Sequence, residues 1–290
     1  MVIKPTLVAL LLLLTACAHP VPFATAPPRA HEPDQIGCLT TPVTSSPTTS
    51  TTAAAPLSLR TAPTLGVSLQ GSPAVWTEIQ RELATYEKSD YQHVTTVNRS
   101  TGTYIVDCSG WGNVLLRTAS CAAYADLVAS ANNTRGTTFT ASCDLGAGQI
   151  EHGPYAVDWA HMLSSIPPGT PNAHWSRLTS VATLTPGDVI TYALGPNATD
   201  TGHVMFCAGH PTQTSPTEWT VPIADSTASE HGPTDTRHNN PKNINGTGIG
   251  TSSLTLITDT NGTPTPQFRW YPTDPNIDTV PAPVLLGHLN

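Results

Sequence analysis

The sequence is poor in charged residues, and in basic ones above all. Only 11% of the 290 residues are charged, and 12 Lys and Arg stand against 20 Asp and Glu, for a net charge of −8. The basic residues form no run or patch, which argues against nucleic acid as a partner. The same shortage disfavours binding to an anionic polymer through bulk charge, so recognition of such a ligand has to be local.

Long apolar runs are also missing, with one exception. The run from Leu7 to Leu14 is apolar, but it is far shorter than the ~20 residues that span a bilayer. Lys4 before this run and the small-residue box ending at Cys17 predict a bacterial lipoprotein signal peptide over residues 1–17, with the lipid on Cys17. The alternative is an ordinary secretory signal that is cut nearby. Both interpretations predict export, either to the cell envelope on a membrane anchor facing the wall or as a secreted protein.

Residues 18–70 contain a single aromatic residue, Phe23. They are rich in Pro, Ser and Thr, and such a composition cannot bury enough apolar surface to offset the entropy lost on ordering. We predict a disordered tether that, fully extended, spans on the order of 100 Å. The remaining residues, 71–290, are sufficient for one domain with its own core.

Two common catalytic signatures are absent from the sequence. No HExxH motif or tight His-x-His pair accompanies the 11 histidines, so we predict neither a metal site nor a cofactor. No GxSxG motif supports a serine hydrolase. We interpret the scattered loop histidines as solvated; they are His152, His161, His174, His210, His231 and His238.

The sequence does contain a cysteine at the start of a predicted helix. Residues 104–106 are β-prone, and Trp111 with the apolar residues at 114–116 has helical spacing, which predicts a helix over 108–119. At its first turn, Cys108 would meet unpaired backbone N–H groups and the positive end of the helix dipole, which stabilise a thiolate and an oxyanion. Taken alone, Cys108 is better explained as a buried core thiol.

Predicted strands further along the chain supply partners for a cysteine nucleophile. A Pro-Gly-Asp turn at 186–188 leads into a strand, and His203 opens the next strand within Gly-His-Val. Asp225 ends the strand after that. A cysteine on a helix, a histidine on a strand and a polar orienting residue on the next strand is the distribution found in cysteine hydrolases.

Asp-Cys-Ser-Gly at 107–110, Pro-Gly-Asp and Gly-His-Val occur in an order that resembles the NlpC/P60 family of cell-wall cysteine peptidases. The resemblance covers about residues 80–272. It implies an α+β, papain-like fold with N-terminal helices packed on an antiparallel sheet, and hydrolysis of an amide bond in peptidoglycan stem peptides. It makes Cys108 the nucleophile, His203 the base and Asp225 the third polar residue, which accepts Nδ1–H of His203.

The resemblance also implies substrate contacts close to the nucleophile. We expect Tyr104, Ser109 and Trp111 to bind substrate, and either Tyr91 or Tyr104 to match a tyrosine that the family often has before its cysteine. The chain departs from the family in two ways. An insertion near 130–180, expected to form a lid or a wall of the cleft, lengthens the stretch between cysteine and histidine, and an aspartate replaces the more usual third residue, which is His, Asn or Gln.

Four other cysteines lie in a compartment that permits disulfides. They allow three pairings, of which we prefer Cys121–Cys143; Cys207 is equally well explained as a buried thiol, and Cys38 lies in the predicted tether. Two other functions stay open. One is a non-catalytic envelope lipoprotein that uses the same fold to bind, and the other is an amidase or acyltransferase acting on another amide.

The remaining elements follow from periodicity. Helices are predicted near 73–88 and 155–165, and strands over 187–194, 202–208, 219–225, 252–258 and 268–271.

Overall fold

The computed structural model describes residues 69–290. The predicted signal peptide with Cys17, the predicted tether up to residue 68 and Cys38 lie outside the described residues. Within the described part, no helix has both the length and the apolar character needed to cross a membrane.

Four α-helices lie in this part of the chain. The helix α2 has the predicted bounds, and the helices predicted near 73–88 and 155–165 are confirmed to within a few residues. The helices are α1 (Gly71–Thr85), α2 (Cys108–Ala119), α3 (Cys121–Arg135) and α4 (Ala156–Ser165).

The strands form two sheets. A four-stranded sheet has the order β1-β3-β2-β4, in which β1 and β3 are parallel and the other pairs antiparallel. It consists of β1 (Lys88–Asp90), β2 (Thr95–Asn98), β3 (Thr103–Ile105) and β4 (Gly148–Ile150).

The larger, nine-stranded sheet is antiparallel throughout, with the order β12-β11-β10-β9-β7-β6-β13-β5 and β8 added beside β9. The strands predicted from residue 187 onward all belong to this sheet. Its members are β5 (Trp175–Leu178), β6 (Val189–Ala193), β7 (Gly202–Cys207), β8 (Thr212–Ser215), β9 (Glu218–Thr227), β10 (Gly248–Thr258), β11 (Pro264–Arg269), β12 (Asp278–Thr279) and β13 (Leu285–Leu289).

The fold class implied by the resemblance, an α+β, papain-like NlpC/P60 fold with N-terminal helices packed on an antiparallel sheet, is wrong. The described residues form a β-rich fold with thirteen strands in two sheets and only four helices. The four strands between α1 and α4 have only three or four residues each, too few to show the alternation by which strands are recognised in a sequence. That is why the small sheet was not predicted.

Aromatic packing joins the helices to the larger sheet. Trp111 of α2 meets Phe206 of β7 edge to face, with ring centroids 6.3 Å apart, and Trp159 of α4 contacts both Phe206 and Trp175. Gly112 permits this packing, because a Cβ there would lie 3.1 Å from the Trp159 ring. Since Trp159 and Trp175 are fully buried, much of the predicted insertion at 130–180 belongs to the core.

The cysteine pairing follows the preferred assignment. A disulfide joins Cys121, the first residue of α3, to Cys143 in the segment that precedes β4. Cys207 is a buried free thiol, and it donates to the carbonyl oxygen of Gly209 at 3.0 Å. Among the described cysteines, this leaves Cys108 as the other free thiol.

Candidate active site

Cys108 is the first residue of α2, and the turn that precedes it is held from two sides. Asp107 caps the helix by accepting the backbone N–H of Gly110 at 2.7 Å, a common way to satisfy a free N–H of the first turn. Ser226 on β9 donates its hydroxyl to the carbonyl of Val106 at 2.8 Å. The strand that carries Asp225 therefore also fixes the turn that carries the sulfur.

His203 lies between Cys108 and Asp225. Its Nε2 is 2.8 Å from Oδ2 of Asp225, so the expectation that Asp225 accepts Nδ1–H is wrong in its choice of nitrogen. With Nε2 occupied, Nδ1 is the ring nitrogen left to face Cys108, whose charge acts on His203. All three side chains are at least nine-tenths buried. The structure thus brings together the three residues predicted for catalysis.

The charges of Cys108 and Asp225 favour the protonated form of the His203 imidazole. Burial alone would lower the pKa of His203, but the charge of the Cys108 thiolate and the hydrogen bond to Asp225 outweigh it and raise the pKa to about 9. An imidazolium next to a sulfur anion is the resting state of many activated cysteines. With its pKa raised to about 9, His203 is in its protonated form at neutral pH.

A wider network surrounds Asp225. Its Oδ2 also accepts Nε2 of His231 at 2.9 Å, and its Oδ1 accepts a hydrogen bond from Arg237. Arg237 in turn donates to Asp235 at 2.6 Å. Burial opposes the charge on Asp225, but Arg237 and the neighbouring imidazoles hold the pKa of its carboxyl well below the usual range.

His231, Asp235 and Arg237 were not predicted as site residues, and His231 was interpreted as solvated. That interpretation is wrong, because His231 is only 3% exposed and Arg237 is fully buried. The three residues follow Asp225 within one irregular segment between β9 and β10. A polar segment close to a candidate site residue was the only available signal, and it does not distinguish a buried loop from a solvated one.

His203, Asp225 and His231 also have the side chains that bind zinc, and one atom from each lies within 4.8 Å of the others. Arg237 argues against a cation there. Its guanidinium is bonded to Asp225 and fully buried, so a divalent ion would enter beside a fixed positive charge. We therefore interpret the three side chains as a hydrogen-bonded network.

A second aspartate–histidine pair lies on the other side of Cys108. Nε2 of His152 is 2.9 Å from both oxygens of Asp107, and Nδ1 of His93 is 3.3 Å from Oδ2 of Asp107. The His152 ring stacks on Tyr155 with centroids 4.5 Å apart. Burial opposes the imidazolium, but Asp107 prevails and raises the pKa of His152.

Two adjoining cavities flank Cys108 and His203. One of about 180 Å³ is lined by Cys108, Ser109 and Tyr155, among others, and one of about 390 Å³ is lined by His203 and His231, among others. They share the lining residues Tyr91, Asp200 and Gly202. A substrate that occupied both cavities would cross the position between the sulfur and the imidazole. Tyr155 also brings the predicted insertion into the wall of the cleft.

The residues predicted to bind substrate divide into two groups. Ser109 lines the smaller cavity beside Cys108. Tyr104 and Trp111 are fully buried in the core, and Trp111 donates its indole N–H to Glu82 at 2.7 Å. Because neither ring reaches the cleft, we withdraw both as substrate contacts. Of the two tyrosines considered for the family position, Tyr91 is the one that lines the cleft.

Comparison with known proteins gives little functional information. No family model matches the chain, and no solved structure matches it. The chain is similar to an uncharacterized protein of Acanthamoeba polyphaga mimivirus, with 26% identity over 228 residues that cover 70% of this chain and 88% of the viral protein. The name of that protein assigns it no activity.

Proposed function

We propose that this chain is an exported cysteine hydrolase that cleaves an amide bond in peptidoglycan stem peptides through Cys108, His203 and Asp225. The observation that carries the proposal is that buried His203 lies beside Cys108 and is hydrogen-bonded to Asp225, at the start of a helix and between two cavities. A core thiol would need no such partners. Cys207 provides the contrast, because burial raises the pKa of its thiol to about 12.

The proposed reaction has two halves. The Cys108 thiolate attacks the amide carbon, and the oxyanion is held by the first backbone N–H groups of α2. His203 gives its proton to the amine as the C–N bond breaks, which leaves a thioester on Cys108. Neutral His203 then takes a proton from water, the resulting hydroxide attacks the thioester, and the C–S bond breaks to release a carboxylic acid.

The two parts of the proposal have different support. The geometry around Cys108 supports attack on an acyl carbon, which amidases and acyltransferases share with peptidases. Peptidoglycan as the substrate rests on the sequence motifs and on the predicted signal peptide, with Cys17 as the membrane anchor. The substrate is therefore the part that needs an independent measurement.

The direct test is digestion of purified sacculi, followed by mass spectrometry of the released muropeptides. We expect the natural protein to release peptide fragments with new amine and carboxyl ends, and Cys108→Ala to release none, since the change removes only the sulfur. Cys207→Ala is the matched control, and it should keep full activity. Digestion by the Cys108→Ala protein would overturn the assignment of the nucleophile.

Alkylation distinguishes an enzyme from a binding module built on the same residues. A thiol that is ionised at about pH 6 reacts with iodoacetamide, whereas an un-ionised thiol reacts poorly. We expect peptide mapping to find Cys108 labelled and Cys207 unlabelled in the folded protein. Equal inertness of both thiols would favour the non-catalytic alternative. Labelling without release of muropeptides would favour another amide substrate.

A further inference from the structure

We propose that His231 is a positioning residue that fixes His203 against Cys108. It acts through Asp225, to which both histidines are hydrogen-bonded. The inference rests on the proposed function, and it goes beyond that function by adding a second histidine to the site. His231 belongs to no sequence motif and to no predicted strand, and it enters the site from the irregular segment between β9 and β10.

Hydrogen bonds to both of its oxygens hold the Asp225 carboxylate in one orientation. Oδ2 accepts Nε2 of both His203 and His231, at 2.8 and 2.9 Å, and Oδ1 is bonded to Arg237. Bonds on both oxygens prevent the carboxylate from rotating about its Cβ–Cγ axis. If the His231 bond is lost, Oδ2 keeps only His203, and the orientation of the imidazole becomes less restricted.

His231 is itself held in place by two further contacts. Its backbone N–H donates to Oδ2 of Asp235 at 2.7 Å, and its ring stacks on Trp270 with centroids 4.4 Å apart and a 5° angle between the planes. The edge of His203 also faces Trp270, at 5.6 Å and 84°. The indole therefore packs against both imidazoles and keeps them nearly perpendicular to each other.

The charged and titratable groups around this pair come from several elements. Asp225 lies on β9, His203 on β7 and Cys108 at the start of α2. Asp235 and Arg237 lie in the same irregular segment as His231. Glu230 and Tyr91 line the adjoining cavity. Of these, Arg237 is bonded to both Asp225 and Asp235, and we expect the His203–Cys108 pair to set the pH profile of the reaction.

Two substitutions separate the hydrogen bond from the packing. His231→Phe keeps a ring against Trp270 but has no N–H for Asp225, and His231→Gln keeps an N–H at a similar reach but loses the ring. We expect His231→Phe to lower kcat about tenfold or more with KM changed less than about twofold, and His231→Gln to stay within about threefold of the natural protein.

The pH profile provides a readout that a purely structural role would not change. Without the His231 bond, Asp225 is a stronger acceptor for His203 and stabilises its imidazolium, so the alkaline limb of kcat should move to higher pH in His231→Phe and stay in place in His231→Gln. Equal activities and unshifted limbs in both folded variants would overturn the proposal. If His231→Phe does not fold, His231→Asn takes its place. The Asn side chain is one carbon shorter than that of Gln, so its N–H lies farther from Asp225.

The alkylation rate of Cys108 separates this inference from the proposed function. The pH dependence of labelling by iodoacetamide reports the Cys108–His203 pair without any substrate. If sacculi are not digested but the labelling profile shifts in His231→Phe and not in His231→Gln, the positioning role stands and the substrate assignment fails. An identical labelling profile in all three proteins contradicts the positioning role whatever the substrate is.

Discussion

Two aspartate–histidine pairs flank Cys108, and they differ in what surrounds the carboxylate. Asp225 is fully buried, and its carboxylate is hydrogen-bonded to His203, His231 and Arg237. Asp107 also caps α2 by accepting the backbone N–H of Gly110. His203 lies beside the sulfur, whereas His152 bonds to Asp107, the cap of α2, and to the carbonyl of Gly153. The same two residue types thus form a proton acceptor for the thiol in one place and a helix cap in the other.

The comparison also shows what sets the charge of each imidazole. Burial lowers the pKa of both histidines, and an aspartate raises it in both. Only for His203 does Cys108 add a further contribution. Proximity to the sulfur, rather than the presence of an aspartate, is therefore what distinguishes the proposed catalytic pair.

The largest difference between the pairs should appear on removing each histidine. We expect His203→Ala to lower the rate of hydrolysis about 10³-fold or more, because no other group in the pair can protonate the leaving amine. His152→Ala should cost less than about tenfold. Initial rates on purified stem peptides measure both variants, with thermal melts to show that they fold. Comparable losses in the two variants would mean that the pairs share the chemistry.

Removing each carboxylate charge should give a difference in stability. Asp225→Asn leaves Arg237 with one buried partner fewer, so we expect the free energy of unfolding to fall by about 3–5 kcal/mol. Asp107→Asn should cost less than about 1 kcal/mol, since asparagine caps a helix as well as aspartate does. Urea denaturation of both variants provides the measurement.

Activity should fall less in Asp225→Ala than in His203→Ala, and negligible effects of both would remove Asp225 from the site.

The smallest effect should be the dependence of stability on pH. Folding raises the pKa of His203 from 6.5 to about 9, so its imidazolium contributes fully below pH 6.5, contributes less as the pH rises, and contributes nothing above the folded pKa. We expect the free energy of unfolding to fall by up to about 3 kcal/mol between about pH 6 and about pH 10. His203→Ala should lose less over this interval. An identical fall in both proteins would assign the pH dependence to other groups.

The local features around the sulfur were predictable from the sequence. The bounds of α2 follow from a capping aspartate and apolar residues at helical spacing, and those of β7 from a short apolar run after Gly202. Both signals act over a few neighbouring residues. The three candidate catalytic residues could be named for that reason, although the fold that joins them could not.

What the sequence did not predict depends on contacts between distant segments. In the small sheet, β4 pairs with β2 although α2 and α3 lie between them in the chain. The burial of Arg237 depends on Asp225 and Asp235 meeting it inside the protein. Neither fact leaves a periodic pattern, because each arises from tertiary structure and not from the spacing of residues.

The position of β13 has a consequence for the order of folding. This strand lies between β5 and β6, where Gly287 pairs with both Arg177 and Val189. The paired segments β13 and β6 are far apart in the sequence. Bringing them together loses chain entropy before the strand pairing stabilises the contact, and this slows folding. Until Leu285–Leu289 has been synthesised and inserted, β5 and β6 each present an open edge, and a ribosome-bound chain has to be kept from aggregating during that interval.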